Sequence, residues 1–234
     1  MDDILGGLVG ALRLLLSGDP DIWSIVLLTL RVSGIALLIS AVIGVPIGAW
    51  LAFRSFPGHR FVTTLIYTGM GMPPVVAGLA VYLLLSRSGP LGMLGWLFTP
   101  RAMVTAQVLI SLPLVIGLTT SAVEGVVPEL RLQLKALGAT ERQIVQAILW
   151  EARAGMLVAL VAGFGSIISE VGAVMLVGGN IERSTRVLTT AVVLETRKGA
   201  FDQALALGVI LVALTFFLNA LALRLRGYLA HARG

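Results

Sequence analysis

Residues 130–179 read LRLQLKALGATERQIVQAILWEARAGMLVALVAGFGSIISEVGAVMLVGG. The first half is charged and amphipathic: Leu130, Leu134 and Leu137 share one helical side, and Ile144, Val145 and Ile148 continue the spacing. The second half is an apolar run whose one charged residue is the acid Glu170. Pro128 suits the first turn of a helix, Gly138 its end, and Thr140 the cap of a second. The spacing thus predicts two short helices joined at a glycine, an elbow over 127–153 that projects from a membrane-spanning segment. Spacing alone also fits an ordinary interfacial helix hairpin.

Outward from this stretch the chain is apolar throughout. Of 234 residues, 57% are hydrophobic and 12% charged, against about a quarter charged in a soluble domain. The mean hydropathy is +0.98. The apolar blocks approach the roughly 20 residues that a helix needs to cross a bilayer, at 24–51, 61–85, 102–123, 154–178 and 203–223. Each must be helical, because lipid offers no partner to backbone N–H and C=O groups. The expected class is all-α: a polytopic membrane protein with five spans in one domain, 1–234. Residues 4–16 are apolar but too short to span, and 17–20 (Ser-Gly-Asp-Pro) break them, so 1–20 is read as an interfacial segment. Trp23 follows as an interfacial aromatic.

Several functions are disfavoured. Cysteine is absent, which removes thiol chemistry, thiolate metal sites and disulfides. His59 and His231 are the two histidines, and there is no HExxH pair, serine elbow or GxxxxGK[ST] phosphate loop. The net charge of +5 comes without a basic run interleaved with aromatics, so nucleic acid is not expected as a partner. With the N-terminus outside, nine basic residues fall inside and seven outside, and four of the seven cluster in the loop 179–202. The positive-inside rule then favours N-out, C-in, with that loop as an anomaly. The start MDDILGG lacks the basic region of a cleaved signal peptide. Five helices are few to enclose a polar path, so a homodimer is expected.

The elbow resembles the cytosolic signature of ABC importer permeases, specifically the molybdate, sulfate and tungstate group. That signature is Glu-Ala-Ala, three residues, Gly, nine residues, Ile-x-Leu-Pro. Gly138 and Ile148 stand at the glycine and isoleucine, while Leu132, Gln133 and Leu134 replace Glu-Ala-Ala and Trp150-Glu151 replace Leu-Pro. Pro73-Pro74-Val75-Val76-Ala77-Gly78 resembles the family's paired prolines. Glu170-Val171-Gly172-Ala173 with Gly179-Asn180-Ile181 resembles its Glu-Phe-Gly-Ala…Gly-Asn-Ile run. The stretches 150–153 (Trp-Glu-Ala-Arg), 168–174 and 177–180 are most similar to tungstate-type members.

The resemblance implies two permease copies, two cytosolic ATPase subunits that carry ATP and Mg, an extracytoplasmic binding protein and a bacterial or archaeal plasma membrane. No cofactor and no catalytic or metal site is expected on this chain. It assigns ATPase coupling to Glu129, Leu130, Leu134, Lys135, Ala136, Leu137, Gly138, Ala139, Thr140 and Ile148. Tungstate is the expected cargo, with molybdate and sulfate open. An ion-coupled secondary transporter is the alternative class, for which relays and repeats are lacking.

Arg31 and Glu170 are the ionisable residues set within expected spans, where an ionised side chain costs about 2.5–3.5 kcal/mol. They are expected either to pair, or for Arg31 to snorkel outward. Glu170, a carboxylate, would repel an anion and is read as structural or gate-forming. Pro73 and Pro74 should kink the second span, as Pro46 and Pro113 should the first and third. Ser169, Gly172 and their small neighbours either pack helices closely or border the path. In the outer loop, the apolar residues 187–194 are too few to span. Arg183, Arg186, Arg197 and Lys198 form a basic rim, and Ser184, Thr185, Thr189 and Thr190 offer hydroxyls to an oxyanion. The loop lines the path, docks the binding protein or faces lipid.

Overall fold

A computed structural model describes residues 20–231 together with Gly10. Apart from Gly10, the expected interfacial segment 1–20 lies outside the described residues up to Pro20. Among the described residues, nine α-helices and one 3-10 turn make up the fold. In order they are α1 (Pro20–Phe53), α2 (His59–Met70), α3 (Pro74–Leu85), the turn Gly92–Leu94, α4 (Pro100–Glu124), α5 (Val127–Ala136), α6 (Glu141–Ile168), α7 (Gly172–Gly178), α8 (Leu188–Arg197) and α9 (Phe201–His231). α1, α4, α6 and α9 are long and apolar enough to cross a membrane, and the bent pair α2–α3 makes a fifth span if counted as one.

Three expected spans keep their identity, and two are corrected. The second is no straight helix: α2 stops at Met70 and α3 restarts at Pro74. The proline pair sets the break. Pro74 disfavours helical ψ at the residue before it, and Pro73 is accordingly extended at φ −57°, ψ 126°. Pro74 then starts α3 where a missing N–H costs nothing, while the Pro73 carbonyl accepts from Val76 and Ala77. Pro46 and Pro113, by contrast, sit within continuous helices. The fourth span is also shifted. Its helix begins at Glu141 and ends at Ile168, so the second half of the elbow and the membrane span are one 28-residue rod. Glu170 therefore stands in a break before α7, not inside a span.

By internal contacts the chain divides into two compact units. One holds Met1–Ala36, Pro73–Leu109 and Gly165–Leu218, with a core of Val26, Leu188, Ala191, Ala206, Leu207 and Ile210. In this unit α3 packs on α7. The contact is backbone on backbone: a Cβ on Gly78 would lie 2.5 Å from Ala173 Cα and 3.2 Å from its carbonyl oxygen. The same approach puts Val75 against Gly172, where a Cβ would meet its methyl at 2.7 Å. The paired-proline segment and the Glu-Val-Gly-Ala segment, far apart in the chain, are thereby one small-residue interface.

The other unit holds Leu37–Met72, Ile110–Phe164 and Asn219–Gly234, and contains the elbow. Its second core gathers Ala49, Val123, Ile144, Ile148 and Ala152, with Leu130, Leu134 and Ala139 packed against it. The elbow turn is closed from both sides. Gly138 adopts φ 79°, its N–H donates to the Lys135 carbonyl, and the Ala139 N–H donates to the Leu134 carbonyl. That is a Schellman closure of α5. Thr140 and Gln143 then form a capping box at the start of α6, with the Thr140 N–H donating to Gln143 Oε1 at 2.8 Å and the Gln143 N–H reaching Thr140 Oγ1 at 3.5 Å. With stop and start abutting, the angle between α5 and α6 has little freedom.

Two substitutions probe these closures. A Cβ at Gly138 meets nothing within 4 Å, so its cost is conformational alone. Gly138→Val should destabilise by about 1–3 kcal/mol and Gly138→Asn by less, read as thermal midpoints in detergent. Gly78→Ala must force two backbones apart, and a loss of about 1–3 kcal/mol is expected. An unchanged midpoint for Gly78→Ala would contradict the close approach.

Candidate functional site

The elbow presents an apolar, charge-framed surface. Leu132 and Leu137 are 73% and 82% exposed, whereas Leu130, Leu134 and Ile148 face the core described above. Arg131 and Lys135 on α5 reach Glu141 on α6 at 2.9 and 3.1 Å, so the knob is bridged across its bend. Glu129, Ala136 and Thr140 are exposed, and Ala139 is half-buried. Farther along α6 the exposed Trp150 indole is covered by the Arg153 guanidinium at 3.8 Å. The residues assigned to coupling therefore split into two groups. Leu130, Leu134, Gly138, Ala139 and Ile148 hold the elbow's shape, and Leu137, with Leu132 beside it, offers contact.

At the break before α7 several backbone groups are met by side chains of the same unit. The Ile167 carbonyl accepts from Gln107 Nε2 at 3.1 Å and from the Glu170 N–H. The Glu170 carbonyl accepts from the Thr189 hydroxyl at 3.0 Å. Glu170 Oε1 accepts from the Ala173 N–H at 2.9 Å and so satisfies a donor in the first turn of α7. Ser169 turns its hydroxyl back to the Gly165 carbonyl. No ion pair joins Arg31 to Glu170 among the described residues. The expected pairing is corrected: Glu170 is engaged by a helix start, and Arg31 is exposed on α1.

Three of the four hydroxyls expected to face an oxyanion are already committed. Thr185 Oγ1 donates to the Gly178 carbonyl and accepts from the Ile181 N–H. Thr190 Oγ1 donates to the Val187 carbonyl and accepts from its N–H. Thr189 holds Glu170 as above. A hydroxyl has one proton to give, so these three buried threonines cannot donate to a substrate without releasing a backbone carbonyl. Residues 187–194, too few to span, cap and begin α8, whose first turn is buried. The N–H of Leu188 is taken by Thr29 of α1, a partner that the sequence did not signal.

Of the basic rim, Arg183 makes a two-pronged bond to Asp21, Nε to Oδ1 at 2.9 Å and Nη2 to Oδ2 at 3.2 Å. That hydrogen bond, with the Asp21 charge, raises the Arg183 pKa further above its ordinary value. Arg186 lies 3.7 Å from Glu182 and Lys198 lies 2.8 Å from Glu195. Arg197 is exposed. The rim is thus partly neutralised by its own carboxylates. Among the described residues no group of three or more His, Cys, Asp or Glu side chains is placed to hold a metal ion.

Comparison with known proteins places this geometry. Residues 44–233 match the family described as the binding-protein-dependent transport system inner membrane component. A probable anion ABC transporter permease of Haloferax volcanii is 47% identical, over 87% of this chain and 90% of that one. A tungstate uptake system permease of Peptoclostridium acidaminophilum is 39% identical, over 94% and 96% respectively. Among solved structures, an inward-facing methionine ABC transporter superposes with a TM-score of 0.73 over 90% of this chain and 98% of its own, at 20% identity, a likeness of fold. This chain, a multi-pass helical protein, belongs to the family of binding-protein-dependent transport system inner membrane components.

Proposed function

We propose that this chain is the permease of an ATP-driven importer for a tetrahedral oxyanion, with tungstate as cargo. The observation that carries the mechanism is the elbow. α5 is locked to α6 by the Schellman closure and capping box, and α6 runs without interruption from Glu141 to Ile168. A push on the exposed Leu132–Leu137 surface is therefore delivered to a membrane rod and not absorbed in a flexible joint. Rigid-body tilting of such rods is a common switching device. The motor is a separate pair of ATPase subunits carrying ATP and Mg, since the chain has no phosphate loop. Two permease copies, an extracytoplasmic delivery protein and an N-out, C-in orientation complete the assembly.

Tungstate is favoured by the tungstate uptake relative that aligns along nearly the whole chain. Molybdate and sulfate permeases are more distant relatives, at 34% and 30% identity. Arg31 and the arginines of the 179–202 loop give the same unit a cationic character suited to a dianion.

Reconstitution in liposomes tests the reading. Tungstate uptake should require the ATPase, ATP and the delivery protein together; uptake by the permease alone would refute it in favour of a secondary transporter. Leu137→Asp should reduce ATPase co-purification at least tenfold while leaving the thermal midpoint of the permease unchanged, because exposed substitutions shift stability by only about 0.5 kcal/mol. Thr189→Val should lower that midpoint and leave the apparent KM for tungstate within twofold, as expected of a hydroxyl spent on a backbone carbonyl.

A further inference from the structure

One cavity is neither part of the elbow nor of the break before α7. It is a cleft of about 210 Å³ between the first turns of α1 and the loop ahead of α8, within one unit. Arg31, Arg183, Ser184 and Arg186 line it, with Leu27 and Leu28 beside them. Three guanidinium groups in one cleft repel one another unless something negative stands among them. The protein supplies two carboxylates, Asp21 on Arg183 and Glu182 at 3.7 Å from Arg186. One positive charge is left over. Among the described residues no ion pair or hydrogen bond reaches Arg31. Arg186 is the more telling: its Nε is buried and has no hydrogen-bond partner. A buried N–H of a cation without an acceptor is costly to leave unmade. Ser24 has given its proton to the Asp21 carbonyl, whereas Ser184 is exposed.

The depth of the site fits an anion drawn from a membrane interface. Arg31 stands eight positions beyond Trp23, about 12 Å along α1, and Trp23 is exposed as interfacial tryptophans are. α1 has 34 residues, about 51 Å against a hydrocarbon core of about 30 Å, so its first turns rise into the headgroup layer. From that depth an arginine extends toward phosphate level.

We propose that this cleft binds one tetrahedral oxyanion group, held by Arg31, Arg186 and the unspent donors of Arg183 with Ser184 at its edge. Two sources have this chemistry: the phosphate of an anionic phospholipid and a free oxyanion awaiting transfer. The free-ion source rests on the transport reading above, and the phospholipid source does not.

The test uses the full chain purified with its ATPase subunits in detergent, and measures binding without turnover. Failure here therefore leaves the uptake assay untouched. In one arm sodium tungstate is titrated by equilibrium dialysis; in the other, retention of phosphatidylglycerol against phosphatidylcholine is read by native mass spectrometry. Saturable tungstate binding assigns the free ion, and selective retention of phosphatidylglycerol assigns the lipid. In either case Arg31→Gln and Arg186→Gln should weaken binding at least tenfold, while Arg87→Gln, exposed and outside the cleft, should not. Thermal midpoints verify folding, and if Arg186→Gln fails to fold, the exposed Arg31→Gln decides. Absence of binding in both arms, or binding indifferent to Arg31→Gln, overturns the proposal.

Discussion

A chain that interrupts its helices inside an apolar environment must find a partner for every backbone group it frees. In lipid each unpaired N–H or C=O costs several kcal/mol, and this requirement shapes the unit around α7. The helix stops at Ile168 and restarts at Gly172. Around the break the Ile167 carbonyl is met by Gln107 from α4, the Glu170 carbonyl by Thr189 from α8, and the Ala173 N–H by the Glu170 carboxylate itself. Once those partners are fixed, α7 can lie against α3 closely enough that Gly78 and Ala173 touch through backbone atoms. The proline break, the acid and the glycines are thus parts of one solution.

The elbow meets a different constraint, namely holding one angle between two helices, as the proposed transmission of force through a bend would require. A helix end ordinarily frays, and a frayed joint would dissipate displacement. Here Gly138 lets α5 close on itself in the left-handed region, and Thr140 begins α6 two residues later. The salt bridges from Arg131 and Lys135 to Glu141 are exposed and add little stability. Their value lies in orientation. The hydrophobic contacts of Ile144 and Ile148, both fully buried, carry the packing.

Much of this was legible in residues. Hydropathy located the spans, Pro128, Gly138 and Thr140 marked the elbow, and paired prolines marked the second-span break. What the sequence concealed follows from geometry. Periodicity does not tell a continuous rod from a short helix followed by a span, so in sequence the elbow's second helix and the span from residue 154 read as separate elements. An apolar run of 25 residues gave no sign that Glu170 interrupts it, because the interruption depends on donors 19 and 60 residues from the carbonyls they meet. Thr185, Thr189 and Thr190 looked available for the same reason. A hydroxyl's commitments are set by its neighbours in space, and three of the four hydroxyls expected to be free are spent on the backbone carbonyls of Gly178, Glu170 and Val187.

That commitment narrows where selectivity among tetrahedral dianions can arise. Discriminating such ions by hydrogen bonding needs fixed donors at matched distances. On this loop the buried hydroxyls have no proton to spare, and Arg183 is held to Asp21. The cations that are left would attract any dianion and accelerate encounter, but an exposed guanidinium such as that of Arg31 distinguishes size poorly. On the proposed transport reading the loop would concentrate and pass an anion, and the fine choice among oxyanions would fall to the proposed delivery protein. A passive acceptor of this kind would have a mechanical advantage: a site that binds its cargo weakly leaves little affinity to be undone by the proposed tilt of the α6 rod.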